Sequence, residues 1–452
     1  MTSLARGLGG AGPGGAGSGG AGPGGAGSGG AGSGGAGPGG AGSGGAGPGG
    51  AGWVRPDLRG QPTGRPWLTP AFGVLAVGLP LGAWRIADAL YGAFGVYPRA
   101  TALAVGLFAL YAVPFLLFIA SIDFLEREPP ALVAAAFAWG VVVINAAVPG
   151  NAALDALLGK LTSPAFAATW GPALVAPVVE EPLKLLGVVM IVLVARFQIN
   201  SVVDGMVYGA VVGLGFQIME NIGYAVSAVA AAGGGDRIDP VLATFVLRGF
   251  VAGLWSHTVF TALAGAGVAY AVVRHGRRGP AVRMAVVALC LAGAVLCHFI
   301  WNSPVVTDGL PAVAELVAKG VPALVLVLGL ARTAGAAEAD YYAGILAALA
   351  DPWIASPAEV SALRTARGRR TAVRAAKARA GRPGERATAR LHRVQACLAV
   401  EISRHGAAGL PGTPAAGSGR SRVTPSLGAA YARVVMARQE LIGAGLRCDG
   451  TR

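Results

Sequence analysis

Charge is scarce in this chain of 452 residues. Asp, Glu, Lys and Arg together make up 13% of it, apolar residues 54%, and the mean hydropathy is +0.59. That balance excludes an ordinary soluble domain and fits a polytopic membrane protein. Cysteine is nearly absent. Cys290, Cys297, Cys397 and Cys448 form no CxxC pair and show no disulfide spacing, so a disulfide framework is set aside. Met1 to Gly52 has no apolar core segment, so no cleavable signal peptide is expected. Acidic residues are the scarcer sign, 22 against 36 Lys and Arg, for a net charge of +14. The basic excess crowds into the C-terminal third, so it describes a tail and not a nucleic-acid domain.

What is present begins with low complexity. Residues from about 9 to 52 repeat Gly, Ala, Ser and Pro with nothing to bury, so 1–66 is expected to be a disordered segment. Apolar spans then recur near 68–95, 101–120, 131–149, 170–195, 202–229, 241–273, 281–302 and 311–332. Each is long enough to cross a bilayer, which takes about 20 helical residues. The expected fold is an all-α transmembrane bundle of about eight helices. The sixth span is too long for one straight crossing, so part of it should project or tilt. Residues 67–333 form the membrane domain in this reading, and 334–452 a basic, partly helical tail. The short loop Arg274-His275-Gly276-Arg277-Arg278 and the basic tail predict a cell-membrane protein with both termini cytoplasmic. The tail arginines have no interleaved aromatics, so anionic lipid or solvent is their expected neighbour and nucleic acid is not.

The membrane spans carry costly groups. Glu180-Glu181-Pro182-Leu183-Lys184 lies inside an apolar run, with Lys184 on the same helical face as both carboxylates. The run reads either as a self-neutralising polar knot between helices or as a general base with its partners. Later spans add Phe216, Glu220 and Asn221, then Arg248 and Ser256-His257-Thr258, then His298 and Asn302 one turn apart. Asp204 and Lys319 read as interface residues near span ends. Intramembrane polar groups face the bundle interior, so Glu180, Glu181, Glu220, His257, His298 and Asn302 should converge. Counted along the spans, the site falls in the outer half of the membrane. Amide hydrolysis needs a base for water, a donor for the oxyanion and an acid for the leaving amine, and this set can supply all three. Glutamate with two histidines can also bind zinc, but there is no HExxH, so the metal stays open beside a metal-free glutamate mechanism. A secondary transporter also concentrates such groups at mid-membrane, and an inactive scaffold is a third reading.

In order, Glu180-Glu181-Pro182-Leu183-Lys184, Phe216 with Glu220-Asn221, His257, and His298 with Asn302 resemble the PrsW family of intramembrane endopeptidases, related to the CAAX prenyl endopeptidases and the Abi superfamily. The acidic loop Asp123, Glu126-Arg127-Glu128-Pro129 ahead of Trp139-Gly140 is similar to that family's N-terminal signature. The resemblance spans about 110–330. It implies peptide hydrolysis in the membrane plane, on a single-span substrate such as an anti-sigma-factor-like protein. It implies that Glu180 and Glu181 are the essential pair, one of them activating water, and that His257 and His298 are catalytic, with Asn302 an oxyanion donor. Glu220 stands where the CAAX branch has a histidine. If zinc is bound, Glu220, His257 and His298 are the expected ligands, which leaves the pair free as base.

Overall fold

The computed structural model describes Trp67, residues 69–122, 127–304 and 312–405, Ala407, Leu410 and residues 425–446. The N-terminal repeat, Asp123 and Glu126, and most of the 303–310 loop and the 406–425 linker lie outside the described residues. Among those described, the chain is helical throughout and has no strand. The helices are α1 (Pro70–Val96), α2 (Pro98–Ile122), α3 (Pro130–Leu161), α4 (Pro164–Leu174), α5 (Ala176–Ala195), α6 (Val202–Ala231), α7 (Asp239–Phe245), α8 (His257–Val273), α9 (Pro280–Asn302), α10 (Ala312–Ala348), α11 (Pro357–Leu363), α12 (Ala366–His405) and α13 (Pro425–Gly443).

Six of these, α1, α2, α3, α6, α9 and α10, are long and apolar enough to cross a bilayer. Two more fall short, α5 through its three charged residues and α8 through its 17-residue length. The eight expected spans are these six and two.

Local chemistry sets the boundaries. Thr69 and Ser163 cap α1 and α4 through their hydroxyls, each ahead of a proline in the first turn. Asp204 closes a capping box at the start of α6, where its carboxylate accepts the Asn200 and Ser201 amides. Pro177 cannot donate a backbone bond and crowds the carbonyl four residues back, and the chain breaks there between α4 and α5. Pro149 does not stop α3, which runs on to Leu161 where the sequence suggested an end at 149. The long sixth span divides. After α7 come a π-helical turn at Val246–Val251 and a 3-10 turn at Gly253–Trp255, and only then does α8 begin, at His257.

Helix α6 is the axis of the bundle. Gly205, Gly209 and Gly213 recur every fourth residue on one of its faces, and α8 lies against that face in backbone contact. A Cβ at Gly209 would stand 2.3 Å from Thr261 O, and one at Gly213 2.3 Å from His257 O. On the other side, a Cβ at Gly140 of α3 would meet Val212 O of α6 at 2.0 Å. Trp139 fills the groove beside Gly187 of α5 and donates to Leu183 O at 3.0 Å. The Trp139-Gly140 pair therefore docks α3 on both α5 and α6.

A second apolar core gathers Tyr342 and Leu346 from the end of α10, Leu363 from α11, Leu391 and Leu398 from α12, and Val434 and Leu441 from α13. Buried Arg438 is bidentate to Glu359, at 2.5 and 2.8 Å. It also donates to the Trp353 and Ile354 carbonyls. The tail is thus a packed helical unit. Arg367, Arg370, Arg374, Arg382 and Arg386 stay exposed on α12 while its apolar positions build the core. Arg404 reaches Gln198 Oε1, between α5 and α6, at 3.1 Å.

Candidate catalytic centre

Five of the six expected residues converge. Glu180 and Glu181 lie on the first turns of α5, buried with Lys184. Lys184 Nζ donates to Glu181 Oε1 at 2.8 Å and Glu180 Oε2 at 3.1 Å. It also lies 2.8 Å from His257 Nδ1 and 4.0 Å from the centre of the Phe216 ring. His298, near the end of α9, places Nδ1 2.9 Å from Glu181 Oε1, and Thr261 donates to Glu181 Oε2 at 3.1 Å. The two imidazole centres are 4.9 Å apart.

Glu220 stands one step behind. Its Oε2 lies 3.0 Å from His257 Nε2 and 2.6 Å from Arg248 Nη2. The π-helical turn aims Arg248 at this point, and Arg248 Nε donates to Asn221 Oδ1 at 2.7 Å. With Nε2 donating to Glu220, the His257 Nδ1 lone pair faces Lys184. The expected ligand set of Glu220, His257 and His298 therefore differs from the compact group observed. One donor atom each from Glu180, Glu181, His257 and His298 lie within 4.8 Å of one another. Asn302 is the residue set apart. Its amide donates to Pro172 O at 2.8 Å, tying α9 to α4.

Two contributors were not singled out in the sequence. Asn151 of α3 donates to Glu180 Oε1 at 2.9 Å, and Thr261 holds Glu181. Asn151 was hidden because Pro149 reads as a stop. The available signal was Asp155 four residues on, which repeats a polar side chain on one helical face. Gln217 accepts from Ser256 and Thr258 and donates to Gly253 O, which fastens the start of α8 to α6.

A carboxylate pair, two imidazoles and an ammonium packed inside an apolar helical bundle define a membrane-embedded enzyme equipped for proton transfer and for holding a cation. The comparison with protein families agrees. Residues 128–331, from the start of α3 into α10, match the model of the PrsW family intramembrane metalloprotease, and that match indicates a protease. Every residue of the centre lies within the matched segment. Comparison with curated proteins and with solved structures gives no match.

The residues suit a divalent ion. Two carboxylates and two imidazoles are donors of the kind zinc takes. A carboxylate on the second nitrogen of His257 is the usual outer support of a metal-binding imidazole.

Proposed function

We propose that this protease cleaves single-span membrane proteins, an anti-sigma-factor-like protein being one candidate, with Glu180 as general base and Glu181 as the anchor of the site. The carrying observation is the asymmetry of the pair. Each carboxylate has a partner at both oxygens, but Glu181 is held by three groups, Lys184, His298 and Thr261, and is fully buried. Glu180 is held by two, the longer Lys184 contact at 3.1 Å and Asn151. Asn151 Oδ1 and Asp155 Oδ1, on one face of α3, are buried acceptors with no hydrogen-bond partner. In this reading they hold the water that Glu180 activates. Glu180 takes a proton from that water as it attacks the peptide carbonyl, then returns the proton to the departing amine. Asn151 orients Glu180 and is nearer the reaction than Asn302, whose amide is held by Pro172. Zinc is the ion we favour, with His257, His298 and Glu181 as ligands; it would polarise the carbonyl and acidify the bound water.

The proposed setting is the cell membrane with both termini cytoplasmic. The exposed arginines Arg277 and Arg278 between α8 and α9 support it, as does the basic face of α12. We keep the boundary between the membrane domain and the C-terminal unit near residues 333 and 334, inside α10, a few residues ahead of the point where its buried side chains pass from the first core (Ala334) to the second (Ala339). The exposed α12 arginines are assigned to anionic lipid, with no role in nucleic-acid binding.

The test is cleavage of single-span substrates in liposomes, with products read by mass spectrometry. Glu180→Gln should insert and fold normally and lose about 10²- to 10⁴-fold in rate, the worth of a general base. Glu181→Gln should also be inactive. Wild-type rates from both variants would sink the reading.

A further inference from the structure

Lys184 has an arrangement that the family match and the catalytic reading leave unused. Its side chain is fully buried, and an ammonium has three protons to give. It meets three acceptors, Glu180 Oε2, Glu181 Oε1 and His257 Nδ1, at 3.1, 2.8 and 2.8 Å. The Phe216 ring covers it at 4.0 Å, in cation–π range. These acceptors belong to three of the four residues whose donor atoms form the compact ligand group. The His257 tautomer that Glu220 enforces turns its lone pair towards Nζ, which is also the form a metal ligand takes. Lys184 therefore sits where the ligands would hold a cation.

We propose that Lys184 is a built-in occupant of the cation position, so that its ammonium and a divalent ion are alternative partners of the same carboxylates and imidazole. This rests on the reading of the centre as a metal site. Two of those three atoms, Glu181 Oε1 and His257 Nδ1, belong to the proposed ligands, and an ion held by them at about 2.0–2.2 Å would leave no room for Nζ between them. Loading then requires the lysine to withdraw. Before loading, Lys184 balances the paired carboxylates and keeps the ligands gathered. After loading, the ion does both. Lys184 thus makes ion binding weaker and more reversible than the ligand set alone would, and spares the unloaded bundle two buried, uncompensated charges.

Metal binding and unfolding, with no substrate present, test this separately from proteolysis. Full-length wild type, Lys184→Met and Lys184→Gln are placed in nanodiscs, stripped with EDTA, and titrated with zinc and with cobalt. Thermal unfolding is followed with and without EDTA. Both variants should bind zinc at least tenfold more tightly than wild type. Their unfolding temperatures should fall in EDTA and recover with zinc, while wild type changes little. Equal or weaker zinc binding in the variants overturns the proposal. So does failure of both to fold even with zinc present, because the ion then does not replace the ammonium. A wild type and variants that all bind no zinc overturn it too, and leave the glutamate-variant cleavage test to stand or fall alone.

Discussion

Gly213→Ala probes how the α6–α8 seam sets the centre. The added Cβ would lie 2.3 Å from His257 O, 2.7 Å from its carbonyl carbon and 2.9 Å from Thr258 Cα. Such contacts are not found below 3.0 Å, so the start of α8 must move by at least 3.0 − 2.3 = 0.7 Å. Both His257 nitrogens are in use, at 2.8 Å to Lys184 and 3.0 Å to Glu220. A shift of that size takes one or both out of good hydrogen-bond range. Overpacking should cost about 1–3 kcal/mol of stability. Misplacing a catalytic group by roughly 1 Å can cost about 10²-fold in rate. Gly205→Ala is the matched control. Its Cβ would meet Gly265 O and Ala269 Cβ, each at 2.4 Å, in the same seam but about 12 Å along α8 from His257. The assay is cleavage per folded molecule in liposomes, with thermal unfolding measured in parallel. Both variants should lose similar stability, and Gly213→Ala alone should lose about 10²-fold in rate. Equal activity in the two, at equal folded fraction, would refute the claim that the seam positions His257.

Other outcomes follow from the C-terminal unit and the topology. Arg438→Met leaves Glu359 buried without its partner and should cost that unit about 3–5 kcal/mol, seen as faster amide exchange over 357–446 in the full chain. Pairing it with Glu359→Leu should restore most of the protection, and no recovery would point to packing in place of charge. Burial lowers the His392 imidazole from 6.5 to about 4, against the pull of nearby Glu359 and with Arg369 and Arg438 adding to the fall. The unfolded chain therefore takes up a proton that the folded one refuses. His392 leaves stability untouched above pH 6.5 and subtracts from it as pH drops towards 4, by about 3 kcal/mol in total. Amide exchange across that unit should accelerate over this window, and His392→Leu should flatten the change. Cysteines introduced at 277 and 307, in a background without the native four, test orientation. An impermeant external reagent should label 307 alone, and labelling only 277 would invert the topology.

Much of the molecule was legible from one dimension. A run of about 20 apolar residues has few fates other than a membrane helix, so the bundle and its approximate count followed from composition and length. Costly groups in such runs must face inward, which made the convergence of Glu180, Glu181, Glu220, His257 and His298 predictable. The Ala- and Arg-rich stretch was readable as helix but not as a domain. Its apolar positions look sparse until Tyr342, Leu391 and Val434, far apart in sequence, close on one core.

The order of contact within the centre belonged to the tertiary structure. Sequence spacing relates residues on one helix, so it paired Lys184 with Glu180 and Glu181 and set His298 one turn from Asn302. It holds no information on the rotation of one helix against another. That rotation turned Asn302 to Pro172, brought Asn151 to Glu180 and placed Glu220 behind His257. It was set by where backbones can touch, through Gly205, Gly209 and Gly213 against α8 and Gly140 against α6. A glycine in an apolar run states only that a side chain is missing. Which neighbour fills the space is decided when the helices meet.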